Sequence, residues 1–227
     1  MNYFRIIVVS ALLFTATSNT EAQSITEESL VVQNESISVQ KTLMVESLLQ
    51  KLTVWVRPFD GKRIYAYNCR SLRYGCAAQV EAFVEYIFDV SIDKKFDPWL
   101  LAGIAWHESA FHPFAESHAG AVGILQLLRR SRWSRGLPFV HQSWYRKRCR
   151  RILGSCQRPI VERSVFWLKR SFNYCRSVEK GLRLYNSGRC DGPKKYPRRV
   201  FFAKKDIVKR ARKYLFEHIH DFGPRVP

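Results

Sequence analysis

The sequence lacks a second long apolar run after the one at its N-terminus. No apolar run in the sequence reaches the roughly 20 residues that a membrane-spanning helix needs. The N-terminal run from Ile6 to Phe14 is shorter, follows Arg5, and precedes the small-x-small triplet Thr20-Glu21-Ala22. This order is typical of a secretory signal. We therefore predict a signal peptide over residues 1–22 and an exported protein, with a short uncleaved anchor as the alternative.

The sequence also lacks the C-x2-C pairs and His-x3-His partners that would indicate a zinc site. Six cysteines follow the predicted signal, and two pairs share the spacing C-x6-C. In an exported chain an even set of this kind predicts disulfides. Among the possible connectivities we favour local pairing, which joins Cys69 to Cys76, Cys149 to Cys156, and Cys175 to Cys190. We expect no metal and no cofactor.

Acidic residues are scarce, with 19 Asp and Glu against 38 Lys and Arg, which gives a net charge of +19. No acid occurs between Glu116 and Glu162, where the basic residues are Arg129, Arg130, Arg132, Arg135, Arg146, Lys147, Arg148, Arg150, Arg151 and Arg158. Such a field attracts nucleic acid, anionic lipid or an acidic cell wall. Export argues against nucleic acid. The alternative is a solvated surface that only aids solubility.

Strand alternation is not convincing anywhere, whereas helical periodicity is strong. The chain is 46% hydrophobic with six Trp, which is ample for a packed core. Apolar residues recur at i, i+3, i+4, i+7 and i+8 over Val80–Phe88, and Asp97-Pro98 predicts the start of a helix that runs to about Ala110. Further helices are predicted over Glu162–Phe172, Val178–Tyr185, and Val200 to about Ile219. These signals predict a mainly α fold.

One carboxylate lies on an apolar face of the predicted Pro98–Ala110 helix. Leu101, Ile104, Ala105 and Glu108 share that face at 3.6 residues per turn. Burial and the negative end of the helix dipole both raise the pKa of a carboxylic acid. A carboxyl group that stays protonated near neutral pH can act as a general acid, which cleavage of a glycosidic bond requires. The alternative is a helix-end residue that reaches water or an arginine.

Glu108 opens a run that reads ESAFHPFAESHAGAVGILQL and ends at Leu127. It resembles the signature of lytic transglycosylases with the soluble-transglycosylase (SLT) fold, E-S-x-F-x-P-x-A-x-S-x-A-G-A-x-G-L-M-Q-L. Leu184–Gly188, which reads LYNSG, is similar to the family's A-Y-N-A-G, and Tyr196 with Val200 is similar to its Y-V-x-x-V. The resemblance covers roughly residues 65–215. It implies a mainly α, lysozyme-like fold. Together with the cysteine set, this predicts a mainly α, lysozyme-like single globular domain with disulfides.

The resemblance implies a role for each matching residue. Glu108 would be the only catalytic acid/base. The residues that would orient it or bind substrate are Ser109, Gln126, Tyr185, Asn186 and Tyr196. For Ser109, Gln126 and Asn186 the alternative is a cap or turn hydrogen bond, and for Tyr185 it is core packing. We divide the chain into the signal peptide 1–22, an N-terminal extension 23–60, the transglycosylase domain 61–220 and a tail 221–227.

The resemblance also implies a reaction and a place. A lytic transglycosylase cleaves the bond between N-acetylmuramic acid and N-acetylglucosamine in peptidoglycan and leaves a 1,6-anhydromuramoyl end. One alternative is a lysozyme-type hydrolase, and another is a non-enzymatic cationic protein that binds the wall or disrupts membranes. We expect a periplasmic or secreted monomer whose partners are glycan strands and an envelope-spanning secretion or assembly apparatus, with no nucleic acid bound.

Overall fold

The computed structural model describes residues 27–66, Cys69, 75–128, Leu137 and 153–218. Over this part of the chain most of the structure is helical, which confirms the mainly α prediction. The elements in chain order are α1 Glu27–Leu52, β1 Thr53–Val56, β2 Arg63–Tyr65, α2 Cys76–Asp93, α3 Pro98–Ser109, β3 Ala121–Val122, β4 Leu127–Leu128, α4 Leu153–Cys175, α5 Val178–Ser187 and α6 Lys195–Glu217. None of the described helices is long and apolar enough to cross a membrane.

The chain divides into two compact units, Met1–Thr42 and Leu43–Pro227. The predicted signal peptide and most of the basic segment 131–158 lie outside the described residues. Within the larger unit the last turns of α1 contribute to the core, because Leu43, Met44 and Leu48 are each at most 1% exposed. Part of the stretch that we assigned to an extension, residues 43–52, therefore packs with the residues of the larger unit.

Helix α3 is mostly buried in the larger unit, since every residue from Trp99 to Ala105 is buried. The Asp97 carboxylate accepts hydrogen bonds from the backbone N–H groups of Trp99 at 2.9 Å and Leu100 at 3.1 Å, and Pro98 occupies the first turn. These contacts satisfy N–H groups that a helix start leaves free. Ala110 ends the helix in the left-handed region with φ 48°. The predicted helix from Pro98 to about Ala110 is confirmed.

Two other helices start earlier than predicted. In each, the added stretch contains a proline. Helix α6 starts at Lys195 rather than Val200, with Pro197 in the first turn. A proline is tolerated there because the missing N–H has no partner inside the helix. Helix α4 starts at Leu153 rather than Glu162 and contains Pro159.

Two short antiparallel hairpins, β1–β2 and β3–β4, were not predicted from the sequence. Their strands span two to four residues, too few for an alternating pattern to show. The second hairpin lies within the motif that begins at Glu108. Gly120 and Gly123 adopt φ of 82° and 79° beside it, a conformation that costs glycine little. The motif glycines therefore have a backbone role.

Two predicted disulfides are confirmed. Cys69 is bonded to Cys76, and Cys175 is bonded to Cys190. Cys156 is also disulfide-bonded, and Cys149 lies outside the described residues. The Cys175–Cys190 bond joins the end of α4 to the residues that follow α5, so it closes the loop that contains α5.

Helices α4 and α5 approach closely at Gly181. A Cβ added there would lie 2.8 Å from both the Cα and the backbone nitrogen of Phe172. We expect Gly181→Ala to lower the free energy of unfolding by about 1–2 kcal/mol, since overpacking against backbone costs more than the helix propensity of Ala returns. Thermal denaturation measures this. Lys180→Ala, at the exposed neighbouring position, should leave stability nearly unchanged; equal stability of both variants would contradict the close contact.

Candidate active site

Glu108 lies in the last turn of α3 and is half-buried. Burial raises the pKa of its carboxyl group from 4.5 to about 7, because a low-dielectric surrounding disfavours the anion. The hydroxyl of Tyr196 donates a hydrogen bond to Oε1 of Glu108. This bond favours the carboxylate and lowers the pKa, but burial has the larger effect. The carboxyl group is therefore close to half-protonated at neutral pH.

Tyr196 reaches Glu108 from the first turn of α6 and is only 5% exposed. Burial and the charge of Glu108 raise the pKa of its hydroxyl, so the hydroxyl remains a donor. The ring of His107 lies edge-on to the Tyr196 ring, with 5.1 Å between the centroids. Burial and Arg199 lower the pKa of His107. A neutral imidazole thus packs against the tyrosine that holds the carboxyl group.

Two side chains bind successive carbonyl groups of the turn between β3 and β4. Ser109 Oγ donates to the carbonyl oxygen of Ile124 at 2.9 Å, and the Tyr185 hydroxyl donates to that of Leu125 at 2.6 Å. Burial and the charge of Glu108 raise the pKa of Tyr185, so Tyr185 is within electrostatic range of the carboxyl group. Helices α3 and α5 are therefore tied to the same turn next to Glu108.

Gln126 follows in this turn with an unfavourable backbone conformation, φ 48°. Its amide nitrogen donates to the carbonyl oxygens of Ala115 at 3.1 Å and Gly123 at 3.0 Å. A non-glycine residue in the left-handed region carries strain of about 1–3 kcal/mol unless its surroundings hold it. The two hydrogen bonds fix the side chain in place, so the orientation of its amide is set in the absence of a ligand.

Asn186 is the predicted site residue with the weakest connection to Glu108. It is exposed near the C-terminal end of α5, two residues before Gly188 at φ 76°. Among the described residues, hydrogen bonds and electrostatic interactions connect Tyr196 and Tyr185 to Glu108, and Ser109 and Tyr185 to the turn that carries Gln126. Asn186 is linked to this group by its place beside Tyr185 in sequence.

Residues 85–146 match the family model described as the transglycosylase SLT domain. The match covers about a quarter of the chain, and this segment is similar to an SLT domain. The matched segment includes Glu108, Ser109 and Gln126, and Tyr185 and Tyr196 lie beyond it. The SLT domain is lysozyme-like and characterises the lytic transglycosylases, enzymes that act on peptidoglycan. Neither the curated proteins nor the solved structures include a match to the chain.

Two buried glutamines that the sequence analysis missed support the motif loop of the SLT domain. Gln157 on α4 is fully buried, accepts from the backbone N–H of Ile124 at 3.3 Å and donates to the carbonyl of Pro113 at 3.0 Å. Gln79 on α2 donates to the carbonyl of Phe111 at 3.4 Å. In the sequence both look like ordinary helix residues. Only the tertiary contacts reveal that they hold the loop.

An open cavity of about 700 Å³ lies along α3 and α6 of the larger unit. Three of its lining residues adjoin the site in sequence: Trp106 and His107 precede Glu108, and Lys195 precedes Tyr196. The lining residues include the aromatic and basic side chains Trp106, His107, Lys195, Arg198, Arg199 and Phe202. A ligand in this cavity would meet cations and aromatic rings next to the turn that carries Glu108.

Among the described residues, Glu108 is the acid whose carboxyl group is buried beside the Tyr196 hydroxyl. Within the described residues, the groups that shift its pKa are its buried surroundings and Tyr196, with no carboxylate among them. Glu162 is exposed on α4 and pairs with Arg158 at 3.3 Å. No group of three or more His, Cys, Asp or Glu that could hold a metal occurs in the described part of the chain. The arrangement is suited to proton transfer by one carboxyl group.

Proposed function

We propose that this protein is a peptidoglycan lytic transglycosylase in which Glu108 is the single catalytic acid/base. The observation that carries the proposal is the half-buried carboxyl group of Glu108, held by the Tyr196 hydroxyl inside the segment that matches the SLT domain. Burial raises its pKa to about 7. A general acid/base works best when its pKa is near the pH at which it acts. A group with this pKa can donate a proton in one step and accept one in the next.

The first step would cleave the bond between N-acetylmuramic acid and N-acetylglucosamine. Protonated Glu108 gives its proton to the glycosidic oxygen while the bond from this oxygen to C1 breaks, and the N-acetylglucosamine part leaves with a new hydroxyl group. The positive charge that develops at C1 is stabilised by the N-acetyl group of the muramoyl residue. This assistance replaces the second carboxylate that most glycosidases use.

The second step would close the anhydro ring. Glu108, now ionised, takes the proton of the C6 hydroxyl, and the oxygen of this hydroxyl bonds to C1. The product is a 1,6-anhydromuramoyl end, no water is consumed, and Glu108 is protonated again. Tyr196 would orient the carboxyl group through both steps, because its hydroxyl donates to Oε1.

The remaining predicted residues would position substrate. Gln126, fixed by two bonds through its amide nitrogen, would present its amide oxygen to the N-acetyl N–H. Tyr185 and Asn186 would line the cleft, and Ser109 would keep the end of α3 attached to the turn. This assignment expects Gln126→Ala to weaken substrate binding more than it changes the pH dependence of the reaction.

Mass spectrometry of digested murein sacculi tests the reaction. A lytic transglycosylase gives anhydro ends that lack one water, whereas a hydrolase gives reducing ends. Reducing ends alone would identify a lysozyme-type hydrolase and overturn the proposed second step. Absence of any soluble muropeptide would favour a cationic wall-binding protein instead.

The hydrogen bond from Tyr196 gives a second test. Removing it with Tyr196→Phe should raise the pKa of Glu108 further, because the bond favours the anion. Since the first step requires the protonated acid, the alkaline limb of the activity profile should move from near pH 7 to higher pH. The maximal rate should fall about tenfold as the carboxyl group loses its orientation.

The matched control for this variant is Tyr174→Phe. Tyr174 is 76% exposed, so loss of its hydroxyl should change neither the rate nor the pH profile. Muropeptide release measured from pH 5 to 9 would distinguish the two variants. A Tyr196→Phe enzyme whose alkaline limb is unmoved would contradict the assignment of Glu108 as the acid.

We also propose that the protein acts outside the cytoplasm as a monomer and opens local gaps in peptidoglycan for an envelope-spanning apparatus. Peptidoglycan is the substrate that the SLT domain implies, and the residues that the sequence marks as a signal would direct export. Cell fractionation should find the protein in the periplasm or the medium. A strain that lacks it yet assembles and secretes normally would count against the role in the apparatus.

A further inference from the structure

The exposed face of α6 carries cations and aromatic rings in one row, which we call the outer stripe. Its members recur at i, i+4, i+7, i+11, i+14 and i+18, so they lie on one side of the helix. All are exposed. They are Arg198, Phe202, Lys205, Lys209, Arg212 and Phe216. From first to last the row is about 27 Å long at the rise of an α-helix.

The opposite face of α6 explains why the outer stripe stays in solvent. Val200, Ala203, Ile207 and Ala211 recur at i, i+3, i+7 and i+11 and are at most 4% exposed, so this face packs in the core of the larger unit. This one apolar face is enough to pack α6 as an amphipathic helix of a globular domain. The packing of α6 in the core therefore leaves the cations and rings on its other side exposed.

The two phenylalanines of the stripe are unusual for a surface that only meets water. Phe202 is 72% exposed and Phe216 is 82% exposed, and each stands at i+4 from a basic residue, Arg198 and Arg212 respectively. Exposed rings among long basic side chains are typical of helices that lie at a membrane interface. The stems of Lys and Arg can lie on apolar surface while their charges reach the headgroups.

No acid lies on the stripe. The acids of α6 are Asp206 and Glu217. Asp206 lies to the side, where it binds the ammonium group of Lys51 and accepts from Arg210 at 3.3 Å. Glu179 of α5 is within electrostatic range of Arg198 at one end of the row. The charged members of the row itself are all basic, which is complementary to a surface of anionic headgroups.

The hairpin β1–β2 adds a second exposed apolar feature to the larger unit. Val54 is 71% exposed, Trp55 55% and Phe59 76%. The hairpin starts at Thr53, directly after α1 brings Lys51 to Asp206 of α6. The contact between Lys51 and Asp206 thus places the start of the hairpin next to α6. Apolar side chains so exposed on a soluble surface indicate an interaction site.

We propose that the outer stripe of α6, together with the β1–β2 hairpin, docks the protein on the surface of an anionic lipid bilayer without spanning it. A flat surface can contact a straight row of this length all at once. Its headgroups would neutralise the cations while the phenylalanine rings enter the interface. Arg198 and Phe202, at one end of the stripe, also line the cavity next to Glu108, but the proposal does not depend on the catalytic one.

Vesicle sedimentation of the full chain tests the proposal. We expect binding to phosphatidylcholine vesicles that contain phosphatidylglycerol, much weaker binding to phosphatidylcholine alone, and weakening by salt. The variant Lys205→Gln/Lys209→Gln should lose about 30-fold in partition coefficient, and Phe202→Ser/Phe216→Ser about tenfold or more. Circular dichroism melts would verify that each variant is folded.

The matched control removes two exposed cations elsewhere, Lys95→Gln/Lys180→Gln, and should bind as the parent does. Because all variants share residues 1–26, any lipid binding by that segment is the same in each. Equal binding by parent and stripe variants, or equal losses in control and stripe variants, would overturn the proposal. So would binding to purified murein sacculi with none to the anionic vesicles, since that outcome identifies the wall as the occupant.

Discussion

Glu108→Gln should lower the rate of muropeptide release by roughly 10²–10⁴-fold, the range that a positioned acid/base contributes. We expect the upper part of this range, because the same group would act in both proposed steps. The amide has nearly the same shape and can still accept from Tyr196, so the fold and the site geometry should be kept. Anhydro-muropeptides quantified from murein sacculi provide the measurement.

Two controls make this result specific. Glu162→Gln removes an acid that is exposed on α4 and paired with Arg158, and it should keep full activity. Glu116→Gln removes the acid nearest to Glu108 in the motif and tests whether a second carboxylate is needed. Glu108→Gln protein that binds sacculi and still releases muropeptides at the parental rate would rule out both the transglycosylase and the hydrolase that rely on this residue.

The same substitution should increase stability, by an amount that grows as the pH rises from about 4.5 to about 7. The folded-state pKa of about 7 lies above the reference value of 4.5. Between these values the folded protein holds a proton that the unfolded chain has released, so the contribution of Glu108 to stability falls as the pH rises through this window. The full difference corresponds to about 3 kcal/mol, and residual hydration of the half-buried group should reduce it to about 1–3 kcal/mol.

Glu108→Gln carries no titrating group at this position, so it should be clearly more stable than the parent at pH 8 and only slightly more stable at pH 5. Urea denaturation at the two pH values measures this difference. Glu162→Gln should differ from the parent by less than about 0.5 kcal/mol at both, since exposed ion pairs contribute little. A stability gain at pH 5 as large as that at pH 8 would exclude burial of the carboxyl group as its cause.

The expected loss of activity and the expected gain in stability of Glu108→Gln have the same cause. A carboxyl group buried enough to stay protonated near neutral pH is destabilising once it ionises. The protein keeps it in the last turn of α3, where Tyr196 limits the rise of the pKa without reversing it. Removal of Glu108 would thus exchange activity for stability, as is typical of active-site residues.

Several features could be read directly from the sequence because they depend on neighbouring residues. The start of α3 at Asp97-Pro98 is a local capping signal, and the structure has the helix at Pro98–Ser109. The pairings of Cys69 with Cys76 and of Cys175 with Cys190 join residues close in sequence. The resemblance to the SLT domain was recognisable because the motif after Glu108 is nearly continuous, and the family model matches residues 85–146.

Other features required the tertiary structure, because they join residues far apart in the chain. Neither spacing nor periodicity indicates that Gln157 holds the motif loop through Pro113 and Ile124. The early starts of α4 and α6 were also missed, and each added stretch contains a proline, Pro159 in α4 and Pro197 in α6. In α6 it is the packed face that keeps the helix in place and leaves the outer stripe exposed.

By itself the sequence determined that the chain is mainly helical, carries an SLT motif and has an acid at the end of an apolar helix, since local patterns of apolar residues, caps and motif residues suffice for this. Only the tertiary structure decided how acidic Glu108 is. The desolvation that raises its pKa, and the Tyr196 hydroxyl that opposes this, come from residues brought together across 88 positions of the chain.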